Sequence, residues 1–172
     1  PAALAALAFL AAGHTASAAN APAPAAPALA AHKAAYVLTL DSVRGNDIVS
    51  ARGTMGYEIV DACDGWAVRQ RLQMTITNSD GQDIEMVSDY TTWEAKDGLK
   101  LRFRMKQTTE TAVSSQTEGT ATLRRPGGPG EARYAVPRQA KVDLPAGTQF
   151  PMSHTASIIA GARDGKKILG IP

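Results

Sequence analysis

Apolar and polar residues alternate along most of the chain from residue 34 onward. Over 99–106, leucine, phenylalanine and methionine occupy alternate positions, and lysine and arginine occupy the positions between them. A second run, over 66–77, alternates in the same way, with Gln70 as the single polar residue on its apolar side. Because successive side chains of a strand point to opposite faces, this period predicts β-strands that each bury one face. Further strands are predicted over 36–40, 49–60, 84–94, 113–123 and 132–136.

Short segments of turn-forming residues separate these predicted strands. Three of them place glycine where a hairpin needs a positive φ: Asp64-Gly65, Asp80-Gly81 and Asp97-Gly98. Strands joined by short turns pair in antiparallel, because a parallel pair needs a crossover of about a dozen or more residues. A long meander with one apolar face must curl on itself or accept a second layer. Three glycines inside the predicted strands are natural bend points for such curling: Gly53, Gly56 and Gly119.

One segment near 152–164 departs from the period of two. Four of its residues recur at helical spacing: Met152, Ala156, Ile159 and Arg163. Pro151 precedes this segment and Asp164-Gly165 ends it, as is typical of helix boundaries. We therefore predict one α-helix, with Met152, Ile158 and Ile159 lying against the sheet or filling the end of the curled barrel.

The first residues have the composition of an incomplete signal peptide. Residues 2–12 are apolar, too short to span a membrane and of the right length for the hydrophobic part of a signal peptide. Ala16-Ser17-Ala18 supplies the small residues that signal peptidase reads, which predicts a signal peptide over 1–18. An alanine-rich tail or a buried helix is the alternative. Residues 19–33, rich in alanine and proline, are predicted to form a stiff tether or a terminal extension without a role.

The charges of the chain argue against a nucleic-acid partner. Lysine and arginine total 18 against 16 aspartate and glutamate residues, and the cations alternate with apolar residues instead of clustering. This pattern is typical of the solvated face of a sheet. Two tryptophans offer little surface on which bases could stack. After the N-terminal segment, no apolar run is long enough to predict a transmembrane segment in the mature chain.

The residue types that carry chemistry are sparse, so no catalytic, cofactor-binding or metal-binding residues are predicted. His154 is the only histidine in the part predicted to fold, so the usual histidine and cysteine spacings of a metal site are absent. Ser153 and His154 are neighbours that point in different directions on a helix, so they do not form a catalytic dyad. We therefore predict that the protein is not an enzyme. The enzymatic alternative is a thiol hydrolase in which Cys63 and His154 meet in space.

Cys63 is the only cysteine, which is unusual for an exported protein. Three explanations follow: a bridge to another molecule, a reactive thiol, or a partner cysteine in sequence outside this chain. The chain ends in an apolar run over 167–172, without a terminating element. We therefore interpret residues 34–172 as the N-terminal portion of a single β-rich domain that is truncated at its C-terminus, and we favour the third explanation.

Three segments together resemble the envelope-integrity EipB family of Gram-negative bacteria: Ala62-Cys63-Asp64-Gly65-Trp66, residues 99–103 and residues 144–155. The stretch Gly-Thr-x-Phe-Pro-x-x-His-Thr in the third segment is the most specific, and the resemblance runs from about residue 32 to the end. It implies a periplasmic protein that folds as a β-spiral and has no known reaction. It also implies a structural disulfide in which Cys63 is the first cysteine, and a periplasmic tetratricopeptide-repeat protein as a partner.

The sequence and the resemblance together predict an all-β fold, a long curled antiparallel meander in the form of a β-spiral or open barrel-like sheet. The first functional hypothesis is a periplasmic, non-enzymatic protein that supports envelope integrity as a protein-binding scaffold. The second is a periplasmic carrier that holds a lipid or acyl chain inside the curled sheet. Hydrolysis by a Cys63 thiolate ranks last.

Overall fold

A computed structural model of the chain describes residues 29–170. It contains eight β-strands and one α-helix: β1 (His32–Thr39), β2 (Ile48–Asp61), β3 (Gly65–Asn78), β4 (Asp83–Ala95), β5 (Lys100–Thr109), β6 (Ala112–Leu123), β7 (Gly130–Val136), β8 (Ala140–Leu144) and α1 (Pro151–Arg163). The predicted signal peptide over 1–18 lies outside the described residues, as does most of the predicted tether. β1 begins at His32, so the last two residues of the predicted tether, 32 and 33, belong to a strand.

The eight strands form one sheet in which spatial order follows chain order from β1 to β8. Every neighbouring pair is antiparallel, from β1 with β2 to β7 with β8. β1 and β8 are the two edges, so the sheet is open. The predicted antiparallel meander is therefore confirmed. β8 is a strand that the sequence pattern did not indicate, because its five residues, Ala-Lys-Val-Asp-Leu, are too few and too polar to stand out.

Glycine allows the sheet to turn and bend at two positions that the sequence indicated. Gly98 has a φ of +69° in the turn between β4 and β5, where its N–H donates to the carbonyl of Ala95 at 2.8 Å. Gly119 lies where the register between β6 and β7 shifts. A Cβ atom at Gly119 would lie 2.5 Å from the carbonyl oxygen of Arg133 and 2.7 Å from the ring of Phe103. Close approach of backbone and ring therefore requires glycine there.

The core lies on one face of the sheet, which we call the helix face. One cluster of buried residues comprises Leu101, Ala121, Leu123, Ala132 and Phe150, and a second comprises Ile59, Val68 and Met152. Phe150 and Met152, at the start of α1, each join one of these clusters. Burial of such a side chain stabilises the fold by about 1.5–3 kcal/mol, so the start of the helix holds both clusters against the sheet.

Alternation along β5 agrees with the prediction from sequence. Leu101 is buried and Phe103 half-buried on the helix face, whereas Arg102 and Arg104 are exposed on the other side. Phe103 also packs edge-on against Tyr134 of β7, with 5.5 Å between the ring centroids. The period of two therefore assigned the faces of this strand correctly.

The helix is confirmed, but its predicted contact face is partly wrong. Met152 is 4% exposed and Ile159 half-buried, whereas Ile158 is 48% exposed. The reason is that α1 meets the sheet with its first turn, so an apolar residue in the second turn need not touch the sheet. Further along, Gly161 is buried beside Leu169 of the following segment. Among residues 29–170, no helix is long and apolar enough to cross a membrane.

Candidate functional site

The face opposite the helix, which we call the groove face, carries a row of paired residues across five strands. The register pairs Trp93 of β4 with Arg102 of β5, and Arg102 with Thr120 of β6. Thr120 pairs in turn with Arg133 of β7, and Arg133 pairs with Lys141 of β8. Directly opposite side chains lie about 5 Å apart, so three cations and one tryptophan follow a single line across the sheet.

A groove of about 830 Å³ lies along this row. Its volume is within the range of about 300–1,000 Å³ that small-molecule sites occupy. The groove is lined by Thr91, Thr92, Trp93, Arg102, Phe103, Arg104, Glu118, Gly119, Thr120, Arg133, Tyr134, Ala135, Gln139, Ala140 and Lys141. Strands β4 to β8 therefore all contribute to it, and we take it as the candidate functional site.

Trp93 and Arg102 form a stacked pair at the β4 end of the groove. The guanidinium carbon of Arg102 lies 4.4 Å from the centroid of the Trp93 ring, a distance at which a cation and an aromatic ring attract. The ring of Trp93 lies over Gly65 of β3, where a Cβ atom would come within 2.5 Å of it. In the part of the chain that the structure describes, no carboxylate lies within ion-pair distance of Arg102. Its charge therefore faces solvent and the groove.

The other three cations of the groove contact carboxylates. Nε of Arg104 lies 3.8 Å from Glu118, while Arg133 and Lys141 both contact Glu131. Hydrogen bonds from Lys141 and then Arg133 lower the pKa of Glu131 below its ordinary value, so this carboxylate stays ionised. Among residues 29–170, the four cations of the groove thus contact two carboxylates, which leaves two positive charges in excess.

A buried carboxylate on β4 holds the helix in place. Glu94 is 1% exposed and follows Trp93 directly, but on the helix face. One of its oxygens accepts a hydrogen bond from the Met152 N–H at 2.7 Å. The other accepts from the Ser153 N–H at 2.8 Å and from the Ser153 hydroxyl at 2.6 Å. The strand that presents Trp93 to the groove is therefore fixed on its other side by α1.

These bonds satisfy the first turn of the helix. Pro151 has no N–H, and the N–H of His154 donates to the carbonyl of Phe150 at 2.8 Å. The two remaining N–H groups, of Met152 and Ser153, both bind Glu94. A carboxylate is favourable there because the N-terminus of a helix carries partial positive charge. Sequence reasoning treated residue 94 only as the end of a strand, although an acidic residue on the apolar side of that strand was the signal that could have revealed it.

Cys63 lies outside the groove lining, in the turn between β2 and β3. It is exposed, its φ is +64°, and its N–H donates to Asp61 at 2.9 Å. Asp61 also contacts the Lys96 ammonium at 2.7 Å, and the hydrogen bond from Lys96 lowers the pKa of Asp61. The disulfide predicted for Cys63 involves a cysteine outside this chain and stays a prediction.

The other candidate residues from the sequence, His154 and the possible metal ligands, do not form part of the groove. His154 is exposed on α1 and does not line it. Nowhere within residues 29–170 do three histidine, cysteine, aspartate or glutamate side chains lie close enough together to hold a metal ion. The sequence pattern of β5 correctly predicted that Arg102 and Arg104 are exposed to solvent. It did not predict the groove, because the groove is formed by the pairing of β4 to β8.

A family model described as EipB-like matches residues 23–172. The chain belongs to the EipB-like family. The fold of this EipB-like chain is similar to the crystal structure of a beta-barrel-like protein of domain of unknown function DUF1849 from Brucella abortus, with a TM-score of 0.74 and 29% sequence identity. The match covers 82% of this chain and 58% of that one, so this chain spans little more than half of that protein's length. No curated protein matches the chain.

The segment that carried the family resemblance has a clear structural role in this EipB-like chain. Within residues 147–155, Gly147 adopts a φ of +94° at the turn after β8. Phe150 then enters one core cluster and Met152 the other, and Ser153 binds Glu94. The residues of the motif therefore fix the start of α1 against the sheet.

Proposed function

We propose that this EipB-like protein is a periplasmic, non-enzymatic scaffold that supports the integrity of the cell envelope, and that its groove binds a partner protein. The observation that carries this proposal is the pair of Trp93 and Arg102, an aromatic ring and a cation without a carboxylate partner among residues 29–170, which line an open groove. Tryptophan and arginine are the residue types most enriched among those that dominate binding energy at protein interfaces.

The chemistry of the groove supports binding in preference to catalysis. None of the described residues that line the groove is a histidine or a cysteine, and the one carboxylate among them, Glu118, is half-buried and lies 3.8 Å from Nε of Arg104. Cys63 lies elsewhere, in the turn between β2 and β3. We therefore retain the non-enzymatic hypothesis.

The periplasmic location is proposed from the signal-peptide pattern over 1–18 and from membership of the EipB-like family. A tetratricopeptide-repeat protein of the same compartment is the partner that we propose, on the basis of the family resemblance. Repeats of this kind present long concave surfaces that suit an elongated partner.

The experiment that tests this function is complementation of a strain from which the protein's own gene is deleted. The wild-type gene is expected to restore growth on a detergent that stresses the envelope, and the protein is expected in the periplasmic fraction. A Trp93→Ala, Arg102→Gln double variant is expected to fail at equal protein level. Lys106→Gln is the matched control, because Lys106 is exposed on the same face of β5 but lies outside the groove lining. Full rescue by the double variant would rule out the groove as the binding surface.

A lipid carrier is the second candidate, because a volume of about 830 Å³ can hold part of an acyl chain. Mass spectrometry of an organic extract from the purified protein tests it. A lipid recovered in stoichiometric amount from wild type, and lost from the double variant, would favour the carrier over the scaffold.

A further inference from the structure

We infer that the groove binds an extended, acidic peptide segment of a partner protein, and that Arg102 forms the main ion pair with a carboxylate of that segment. This inference rests on the proposed scaffold function and names the chemistry of the partner. It is argued from the charges of the groove, from their spacing and from the kinds of residue that line it.

The charges of the groove select an anion. Arg102 stacks on Trp93 without a carboxylate partner in residues 29–170, so its guanidinium N–H groups that face away from the ring are free to donate. Arg133 and Lys141 share the single carboxylate of Glu131, and each has further donors. A planar guanidinium binds a carboxylate through two parallel hydrogen bonds, which makes a carboxylate a favourable ligand for Arg102.

The spacing of the cations favours an anion whose charges are spread along its length. Neighbouring strands lie about 4.8 Å apart. The Cα atom of Arg102 on β5 is therefore about 10 Å from the Cα atom of Arg133 on β7, and about 14 Å from that of Lys141 on β8. A single phosphate or carboxylate headgroup cannot contact all three. An extended peptide rises about 3.3 Å per residue, so five or so residues span the same distance with acidic side chains on one side.

The lining residues favour a peptide over an acyl chain. Among the described lining residues, the apolar side chains on the groove face are Trp93 and Ala135, since Phe103, Tyr134 and Ala140 belong to the helix face. Within the described part of the chain, the lining contains no leucine, isoleucine, valine or methionine, the residues that usually surround an acyl chain. The hydroxyls of Thr91 and Thr120 supply hydrogen-bonding groups instead, which suit a peptide. Trp93 offers an aromatic surface at one end for an apolar side chain of the segment.

The experiment measures the binding of synthetic peptides to the purified protein by isothermal titration calorimetry. The probe is a peptide of about ten residues in which glutamate and alanine alternate, and its control has glutamine in place of glutamate. We expect the acidic peptide to bind and the glutamine peptide not to bind. The affinity is expected to fall as sodium chloride is raised from about 0.05 M to about 0.5 M, because exposed charges are screened.

Two variants localise the binding to the groove. Arg102→Gln is expected to raise the Kd of the acidic peptide about tenfold, the effect of losing one charge-assisted hydrogen-bonded contact. Lys106→Gln removes one positive charge from the same face of the same strand, outside the lining, and is expected to change the Kd less than about twofold. Arg133→Gln serves as a second groove variant if Arg102→Gln lowers the melting temperature.

Three results would overturn the inference: no binding of the acidic peptide at low salt, equal effects of Arg102→Gln and Lys106→Gln, or binding of anionic phospholipid vesicles without binding of the peptide. These failures are separable from failure of the scaffold function. If the peptide does not bind but the groove variant still fails to complement the deletion, the scaffold proposal stands with a different occupant. If the peptide binds and the groove variant complements fully, the scaffold role of the groove is wrong.

Discussion

The carboxylate of Glu94 on β4 accepts hydrogen bonds from both the backbone N–H and the hydroxyl of Ser153 on α1. This contact joins two residues that are 59 positions apart in the chain. The contact between Glu94 and Ser153 lies on the helix face of the sheet. Tyr90 lies on the same face of β4 as Glu94. Burial and the charge of Glu94 raise the pKa of Tyr90 above its ordinary value, so the Tyr90 hydroxyl stays protonated at neutral pH.

Replacement of Glu94 by glutamine should destabilise the fold. The amide keeps one acceptor oxygen but turns an NH₂ group toward N–H donors, so a buried donor on α1 loses its partner. We expect the free energy of unfolding in urea to fall by about 2–3 kcal/mol, as is typical when a buried hydrogen bond to a charged group is lost. Glu85→Gln, an exposed change on the same strand, should stay within about 0.5 kcal/mol. Equal effects of the two changes would show that Glu94 does not hold the helix.

The alternation along β5 leads to a second comparison. Phe103 is half-buried against Tyr134, so Phe103→Ala should lower the free energy of unfolding by about 3 kcal/mol. Arg104 is exposed, and its ion pair with Glu118 is long, so Arg104→Ala should change it by less than about 0.5 kcal/mol. Chemical denaturation of both variants measures the two values. Similar losses would mean that the faces of β5 are assigned wrongly.

The ion pair between Asp61 and Lys96 predicts a dependence of stability on pH. The pKa of Asp61 is lowered in the folded state, chiefly by the hydrogen bond from Lys96. The stabilisation is therefore present above the unfolded pKa, near 3.8, and is lost as the pH falls through the lower folded value. Asp61→Asn should lower the melting temperature near neutral pH, and the difference from wild type should shrink in acid. A difference that is constant with pH would contradict the pairing.

Cys63 should be chemically accessible in this chain. It is exposed at a turn, so iodoacetamide should alkylate it in the folded protein without denaturant. In a longer form of the protein that contains a second cysteine, the predicted disulfide should prevent this reaction until a reductant is added. Ready alkylation of Cys63 in that longer form, before reduction, would rule out the disulfide.

The sequence was sufficient to predict seven of the eight strands and the helix, because these depend on local periodicity. Leu101 and Arg102 differ in environment for a reason that is visible within β5 alone. The five-residue strand β8 was missed because too few of its residues alternate. Ile158 was placed wrongly because helical spacing shows which residues share a side but not how far along the helix the sheet extends.

The groove and the buried carboxylate could not be predicted in the same way. Arg102, Arg133 and Lys141 are exposed residues of three separate strands, and only the register of the sheet brings them into one row. The contact between Glu94 and Ser153 depends on how α1 returns to β4, which no local pattern records. In each case the missing information is the pairing of distant segments.

The strands lie in the sheet in the order in which they occur in the chain, which determines how the protein can assemble. A chain that emerges N-terminus first, from a ribosome or from a membrane channel, can add each strand to the growing edge as soon as that strand is complete. Local pairing of this kind keeps the entropy lost in closing each loop small. Glu94, by contrast, emerges 58 residues before the Met152 N–H that it binds. Its carboxylate therefore remains hydrated until the helix arrives, and the two apolar clusters are closed last.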